Sequence, residues 1–358
     1  MALPAYKLYG SDGSPYSCKV RAALRFLRIA YEWIPVFQVA AHSTHSGELF
    51  SKHFPDIKTK VIPVLVRPDG TYANDSTPLL LELQAQHGKT WRSLFPTSAG
   101  ARFLCALVED FADEWLTKVM FEGRFHTLED AKFGAAWQVL QNPLQSKNAD
   151  TALQAIDMFA ARQRERRALV GCSDWTCMEK TLRGVCSALE TNLRRGIPFI
   201  FGSRPTAADF AIYGQLRQLA TDPLPSRIVM AYPSIWAWVF RMEDLSGYPD
   251  ETVPSPDTPT AHPGMLDLLK ICGLCYIPLL LDNERAINEG RREICVHIFE
   301  GAHLHCQPTF KYQLKCLQAL RKQYDELPWV EKAQVDATLL NAGIRPETFQ
   351  QGPPKSKL

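Results

Sequence analysis

Apolar and polar positions follow two different periods along this chain. From residue 6 to about residue 87, short β-prone runs alternate with segments of helical period. Tyr6–Gly10 and Tyr31–Phe37 predict strands, and the helix between them is expected to begin at Pro15 and end near Arg28. Because two strands joined by a helix normally lie parallel, we expect this pair to be parallel.

A β-hairpin is predicted next, after a polar segment with a short helix around residues 47–54. Residues 60–66 form an apolar run, Pro-Asp-Gly at 68–70 is a turn signal, and residues 71–73 form the returning strand. The following helix is expected to start within residues 74–78, with a Ser or Thr cap and a proline in its first turn.

Pro63 is an unusual residue for the first strand of this hairpin. Proline is normally excluded from the middle of a sheet because it has no N–H to donate. A cis peptide bond at a ligand site is the usual reason for such a proline. We therefore expect a cis bond between Ile62 and Pro63.

From about residue 97 the apolar positions recur at helical spacing. Thr206 and Asp209 form a capping box of the Thr-x-x-Asp kind ahead of an apolar run. The pattern thus predicts a strand-containing domain followed by an all-helical one.

Beyond residue 250 the pattern changes again. Residues 251–263 are rich in Pro, Thr and Ser and predict a linker. Met265–Leu281 is apolar, but Asp267 and Lys270 interrupt it and it is too short to span a bilayer, so we interpret it as a buried helix.

The end of the chain predicts a hairpin around residues 300–301 and a helix from about Pro308. Residues 351–358 are expected to be a frayed tail. The last helix presents one apolar face, formed by Phe310, Leu314, Leu317 and Leu320.

Composition restricts the class of protein. The 358 residues carry a formal net charge of +2, so bulk charge does not indicate a nucleic-acid or membrane partner. Residues 1–5 lack the features of a signal peptide. The ten cysteines are therefore expected to be reduced thiols in a cytoplasmic protein.

The chemistry centres on Ser-Pro-Tyr-Ser at residues 14–17. Proline is tolerated at the first position of a helix, so the hydroxyls of Ser14 and Ser17 lie at a helix N-terminus. Free N–H groups and the positive end of the helix dipole make this position suitable for an anion such as a thiolate. The alternative is that Ser14 is only an N-cap.

These residues resemble known families. The motif at 14–17 stands where glutaredoxins have Cys-Pro-Tyr-Cys, residues 61–63 resemble the cis-proline loop, and Asp75-Ser76 resembles the acidic-Ser pair of cytosolic glutathione S-transferases. The Thr206 capping box is similar to the one that opens the core helix of the transferase helical domain. The resemblance covers roughly residues 5–248.

The resemblance implies an α+β fold and a homodimer acting in detoxification. A thioredoxin-like, glutathione-binding domain would occupy residues 1–88 and an all-α transferase domain residues 97–250. A mainly α extension, residues 264–350, is expected to pack on the helical domain.

The resemblance also implies roles for individual residues. Ser14 would donate a hydrogen bond from its hydroxyl to the glutathione sulfur, and Ser17 is the second candidate for this role. The remaining contacts to glutathione would come from Lys60, Val61, Ile62, Pro63, Asp75 and Ser76. Among these, the Ile62 backbone would pair with the cysteinyl residue, and Asp75 with the α-amino group. Lys60 would meet the glycyl carboxylate, unless it is simply solvated.

The electrophile is expected between the domains. Its pocket is predicted to be lined by Ser11, Asp12, Tyr16, Trp115 and Phe121. The large apolar members of this set are equally compatible with an ordinary core.

Two alternatives concern cysteine chemistry. Cys18 lies in the first helical turn, where a thiol pKa can fall, and would make the protein a thiol transferase if exposed; otherwise it is a packed thiol. Cys272 and Cys275 have zinc-like spacing, and His297, His303, His305 and Cys306 are further ligand types. No second Cys-x-x-Cys completes that set, so no metal is expected.

The sequence therefore predicts a glutathione transferase of the Ser type, with glutathione as co-substrate and an apolar small molecule as electrophile. A non-catalytic protein with the same fold, binding glutathione or a partner, is the alternative from another class. A glutathione-dependent lyase, etherase or thiol transferase would share the same binding site.

Overall fold

The computed structural model describes residues 5–36, 50, 53–89, 92–140, 149–172, 174–250 and 262–350. The predicted tail falls outside these ranges, and the predicted helix at 47–54 and linker at 251–263 do so for the most part. Contacts group the chain into two compact units. Unit 1 comprises residues 1–94, 120–167 and 210–251, and unit 2 comprises residues 95–119, 168–209 and 252–358.

Unit 1 contains a four-stranded sheet of order β2-β1-β3-β4. Its strands are β1 (Tyr6–Gly10), β2 (Tyr31–Pro35), β3 (Val64–Val66) and β4 (Tyr72–Asn74). As predicted, β1 and β2 are parallel and β3 and β4 form an antiparallel hairpin. The hairpin is shorter than predicted, since its first strand begins only after Pro63.

The helices are α1 (Pro15–Phe26), α2 (Ser76–His87), α3 (Ala99–Phe111), α4 (Thr117–Phe125), α5 (Leu128–Val139), α6 (Ala149–Glu165), α7 (Arg167–Val170), α8 (Trp175–Leu193), α9 (Ala207–Leu219), α10 (Pro223–Met230), α11 (Pro233–Met242), α12 (Pro263–Asn288), α13 (Lys311–Asp325) and α14 (Trp329–Asn341). A π-helical turn, Ala112–Leu116, joins α3 to α4, and a 3₁₀ turn, Pro346–Phe349, follows α14.

Helix α1 is buried on almost all sides, which its sequence does not suggest. Besides Val20 and Leu24, the polar residues Ser17, Lys19 and Arg21 are buried. A buried cation must find partners within the protein. The helix that carries the Ser-Pro-Tyr-Ser motif is therefore held by polar contacts as well as by apolar packing.

In unit 2, helix α12 packs along α8 and against a hairpin formed by β5 (Glu293–Ile298) and β6 (His303–Pro308). Helices α13 and α14 pack against α3. The predicted hairpin and α13 are confirmed. The pattern analysis did not identify α14, whose first residue, Trp329, is exposed.

Helix α12 is longer than predicted. It runs to Asn288, and its most apolar 18-residue window has a mean hydropathy of 1.7, so by length and composition alone it is a candidate membrane span. However, 56% of that window is buried within the protein. Asn283 near its end also donates to and accepts from the backbone of Phe310. These are the features of a core helix.

The expectation of ten reduced thiols is wrong for one pair. Cys295 and Cys306 lie directly opposite each other in the β5–β6 hairpin and form a disulfide. Cysteines facing each other across two antiparallel strands can be bridged only if the register places them in line, and the sequence does not reveal that register. The remaining eight cysteines are free thiols.

Candidate glutathione site in unit 1

Ser14 is the N-cap of α1. Its Oγ accepts a hydrogen bond from the backbone N–H of Ser17 at 3.2 Å. Because a hydroxyl can accept and donate at once, this contact leaves the hydroxyl hydrogen available to an anion. The side chain is half-buried, at the positive end of the helix dipole.

Ser17, the reserve candidate, is fully buried. Its Oγ accepts the N–H of Ser11 at 3.3 Å. Ser11 is also buried, and its Oγ accepts the N–H of Gly13 at 3.1 Å. Ser17 and Ser11 therefore shape the turn before α1 and offer little surface to a ligand.

Arg124 of α4 secures this turn from the other side. Its Nη1 donates to the carbonyl oxygen of Gly13 at 2.7 Å, and its Nε donates to the Asp222 carboxylate at 2.8 and 3.0 Å. Gln218 accepts from Arg124 Nη2 at 2.7 Å and donates to the Asp12 carbonyl at 3.0 Å. The sequence did not reveal these residues, because they are distant from the motif along the chain.

The Ile62–Pro63 peptide bond is cis, as predicted. The side-chain amide of Asn74 donates to the carbonyl oxygens of Thr59 at 2.7 Å and Val61 at 3.2 Å. The loop before Pro63 is thereby held against the end of β4. Lys60 and Val61 are exposed, whereas the Ile62 side chain is buried.

Asp75 occupies the N-cap position of α2, with a φ of +77°. This corrects the predicted Ser or Thr cap. Positive φ is costly for a residue other than glycine, and such conformations concentrate at functional sites. Ser76, the first residue of α2, is buried at the helix N-terminus.

Lys19 is a site residue that the sequence analysis missed. It is only 1% exposed, and its Nζ lies 3.3 Å from Ser76 Oγ and 3.3 Å from Thr77 Oγ1. A lysine five residues after Ser14 was visible in the sequence, but its pairing with α2 depends on how the two helices pack. The N-terminus of α2 therefore has a buried cation beside it.

Cys18 is a packed thiol. It is fully buried, and its Sγ contacts the carbonyl oxygen of Asp12 at 3.5 Å and the amide nitrogen of Gln218 at 3.4 Å. Burial raises the pKa of this thiol to about 11. Desolvation thus outweighs the lowering of the thiol pKa that we expected from the helix N-terminus. The hypothesis of a redox role for Cys18 loses its physical basis.

The residues predicted to line the electrophile pocket lie in different surroundings. Asp12 forms an ion pair with Arg21, and Tyr16 is half-buried. Phe121 packs against Phe125, with ring centroids 4.7 Å apart. Trp115 belongs to unit 2, where it is 0% exposed and its indole N–H donates to Thr181 at 3.3 Å, the position of a core residue.

The ligand types of the zinc alternative do not form one cluster: His303, His305 and Cys306 share β6, but among the described residues only His303 belongs to a group whose ligand atoms lie close together. Cys272 and Cys275 are buried in α12, where the Cys275 thiol donates to the Ile271 carbonyl at 3.1 Å. Cys306 is oxidised, and His297 is exposed on β5. This set therefore does not form a metal site in the part of the chain that the structure describes.

Comparison with known families agrees with this architecture. Residues 8–91 match the profile of the glutathione S-transferase N-terminal domain, and residues 149–239 match that of the C-terminal domain. Two segments of the chain thus match the two domains of glutathione S-transferases, and the fold is a thioredoxin-like domain followed by a helical one, with an extra C-terminal region of helices and a hairpin.

Several solved structures are similar to this chain. A glutathione S-transferase from Rhodospirillum rubrum is 19% identical, with a TM-score of 0.42 over 74% of this chain and 99% of that chain. Glutathione transferase E6 from Drosophila melanogaster is 21% identical, with a TM-score of 0.40 over 68% of this chain and 89% of that chain. A Tau class glutathione S-transferase from mango is 18% identical, with a TM-score of 0.39 over 67% of this chain and 89% of that chain. A search of curated proteins finds no significant match.

Proposed function

We propose that this protein is a glutathione transferase of the Ser type. It binds glutathione in unit 1, stabilises the thiolate with Ser14 and directs it at an apolar electrophile. The observation that carries the proposal is the Ser14 hydroxyl at the start of α1, which accepts the Ser17 N–H and keeps its own hydrogen to donate. The homodimer follows from the family resemblance alone, and the cytoplasmic location stays a prediction from the sequence.

The energy required matches what this position can supply. A thiol of ordinary pKa, about 8.5, must be shifted by about 1.5 units to be half ionised at pH 7, which corresponds to about 2 kcal/mol. A hydrogen bond to a charged group contributes about 1.5–3 kcal/mol, and a helix N-terminus about 0.3–1 kcal/mol. Ser14 and α1 together are therefore sufficient.

The γ-glutamyl end of glutathione is assigned to the start of α2. Asp75 suits the α-amino group, and Ser76 with the helix N-terminus suits the carboxylate. Lys19 beside Ser76 adds a positive charge at the carboxylate end. The Ile62 backbone pairs with the cysteinyl residue, next to Pro63, and Lys60 and Val61 face the glycyl end.

A non-catalytic glutathione-binding protein is the second candidate. It is favoured by the surroundings of Trp115, which is enclosed in unit 2, and of Phe121, which packs on Phe125. Two of the five predicted pocket residues are thus occupied in core packing. A lyase or thiol transferase would use the same glutathione site with another second substrate.

The experiment is a titration of the protein with glutathione near neutral pH, followed by the ultraviolet absorbance of the thiolate. The parent and the Cys18→Ala variant should both ionise glutathione. Ser14→Gly keeps a residue that is tolerated at an N-cap but lacks any side-chain donor, so it should bind glutathione without ionising it.

Two results would overturn the proposal. Binding without ionisation in the parent would leave the non-catalytic protein as the better candidate. Undiminished ionisation in Ser14→Gly would remove the Ser-type mechanism while leaving glutathione binding intact.

A further inference from the structure

A second cluster of chemistry-bearing side chains lies in unit 2, at the start of α8. Asp174, Cys177 and His303 each offer one ligand atom, and these atoms lie within 4.8 Å of one another. They come from two parts of the chain, since Asp174 and Cys177 belong to the N-terminus of α8 and His303 begins β6. None of them takes part in the proposed glutathione chemistry.

We propose that Asp174, Cys177 and His303 form a site for Zn²⁺, with a water molecule as the fourth ligand. Carboxylate oxygen, thiolate sulfur and imidazole nitrogen are the donors that zinc uses in proteins, and three protein ligands with one open position is an established zinc arrangement.

The distance between His303 and Asp174 fits tetrahedral coordination. Zinc–oxygen and zinc–nitrogen bonds of about 2.0–2.1 Å place two such ligands about 3.3 Å apart. His303 Nδ1 and Asp174 Oδ2 are 3.0 Å apart. A zinc–sulfur bond of about 2.3 Å requires the sulfur to lie about 3.6 Å from the other two ligand atoms. The Cys177 sulfur lies within 4.8 Å of both, so each separation has to shorten by up to about 1.2 Å on binding.

The ligands are oriented by contacts that leave their donor atoms directed at the cluster. Asp174 Oδ1 accepts the backbone N–H of Cys177 at 3.2 Å, which directs Oδ2 towards His303. The His303 ring packs edge-on against Phe299, with centroids 5.8 Å apart. Such surrounding contacts are what hold metal ligands in a productive orientation.

Gly171 brings the loop before α8 onto the hairpin. It has a φ of +76°, and a Cβ at this position would lie 2.7 Å from Gln307 Cβ and 3.0 Å from the His305 ring. Only glycine allows this approach. The approach keeps the start of α8, which carries two of the ligands, next to β6, which carries the third.

Space for the ion is present. A cavity of about 10 Å³ is lined by all three ligands, with Ile298 and His305 also in its wall. This is close to the smallest volume that holds a water molecule. His305 is engaged with Gln307 at 3.1 Å, so water rather than His305 is assigned the fourth position.

Charge balance also favours a divalent cation. Cys177 is 2% exposed, whereas the side chains of Asp174 and His303 are 43% and 15% exposed. Zn²⁺ with one thiolate and one carboxylate is neutral overall, which reduces the cost of partial burial. On binding, the proton of the Cys177 thiol passes to the buffer.

The test uses the full-length protein, stripped with a chelator and reloaded with Zn²⁺ or Co²⁺. We expect one metal ion per chain, a sulfur-to-cobalt charge-transfer band, and a rise in the thermal midpoint with zinc. Cys177→Ser and His303→Ala should lose the band and weaken zinc binding by more than about 100-fold, beyond the loss typical of a supporting residue.

Matched controls separate this site from other thiols and imidazoles. Cys186→Ser on the same helix and His297→Ala on the same hairpin should bind as the parent does. Asp174→Asn keeps the helix cap, so a folded apo-protein with weakened zinc binding is expected even if Cys177→Ser fails to fold.

Two results would overturn the proposal. These are the absence of stoichiometric metal in the parent, and undiminished binding in Asp174→Asn or Cys177→Ser. The test does not involve glutathione, so its outcome is independent of the proposed transferase function.

Discussion

Arg124 is a buried cation that contacts the turn before Ser14. We predict that its replacement by methionine lowers the free energy of unfolding. Methionine retains most of the apolar stem but removes every donor to Asp222, Gln218 and Gly13. The Asp222 side chain is 1% exposed, so its carboxylate would remain buried without its cation. Removal of one partner from a buried ion pair costs about 3–5 kcal/mol, and we expect a loss of this size.

The loss should depend on pH. Burial raises the pKa of Asp222 to about 6, and Arg124 acts against that rise, so the pKa in Arg124→Met should be higher still. A carboxyl whose folded pKa exceeds its unfolded value contributes stability that is complete below the unfolded pKa and is lost as pH rises through the folded pKa. The penalty should therefore be smaller near pH 5 than near pH 8, by up to about 3 kcal/mol if the pKa rises by two units.

The assay is urea denaturation at both pH values, with hydrogen exchange of α10 amides as a reporter for unit 1. Arg183→Met is the matched control, because Arg183 is 49% exposed and pairs with Glu179 along its own helix. That pair is worth about 0.5 kcal/mol or less. In the double variant Arg124→Met/Asp222→Asn the pH dependence should disappear. A loss below about 1 kcal/mol, or an equal penalty at both pH values, would refute the reasoning.

Three further predictions concern the glutathione site. Lys19→Met should weaken glutathione binding by about 1.5–3 kcal/mol in calorimetry, which is the value of a hydrogen bond to a charged group. The pKa of the bound thiol should stay unchanged, and an equal affinity would exclude Lys19 from the site. Cys18, whose pKa burial raises to about 11, should resist iodoacetamide near neutral pH until the protein is unfolded, as mass spectrometry can show, and rapid labelling of the folded protein would contradict its packed state. Gly214→Ala should destabilise the protein by about 1–3 kcal/mol in urea denaturation, because the added Cβ would lie 2.4 Å from the Pro15 carbonyl oxygen. An unchanged stability would mean that α1 and α9 can separate without cost.

Local sequence patterns predicted much of the structure of the first domain. The order of strands and helices, the parallel β1–β2 pair and the cis bond before Pro63 all follow from features within a few residues of each other. The N-cap position of Ser14 is equally local, since Pro15 starts the helix whose N–H groups the serine accepts. Each depends on backbone sterics and hydrogen bonding along one segment, and such features are written directly into the sequence.

The conformation of Asp75 and the length of α12 show where local reasoning stops. Ser76 and Thr77 are good caps by composition, yet the cap position falls on Asp75, directly after the end of β4. Helix α12 continues past Leu281 through buried polar residues, since the backbone of Phe310 satisfies Asn283. For α12 the deciding contact comes from a residue 27 positions further along the chain.

Only the tertiary structure brought distant side chains together. Arg124 meets Asp222 across 98 positions of sequence, and His303 meets Asp174 across 129. Cys18 has the sequence context of a reactive thiol, but Gln218 and the surrounding core enclose it, and this burial raises the pKa of the thiol. A sequence determines which segments form helices and strands through short-range forces, whereas burial, charge pairing and metal-ligand geometry depend on how those segments pack, and packing is a property of the whole chain.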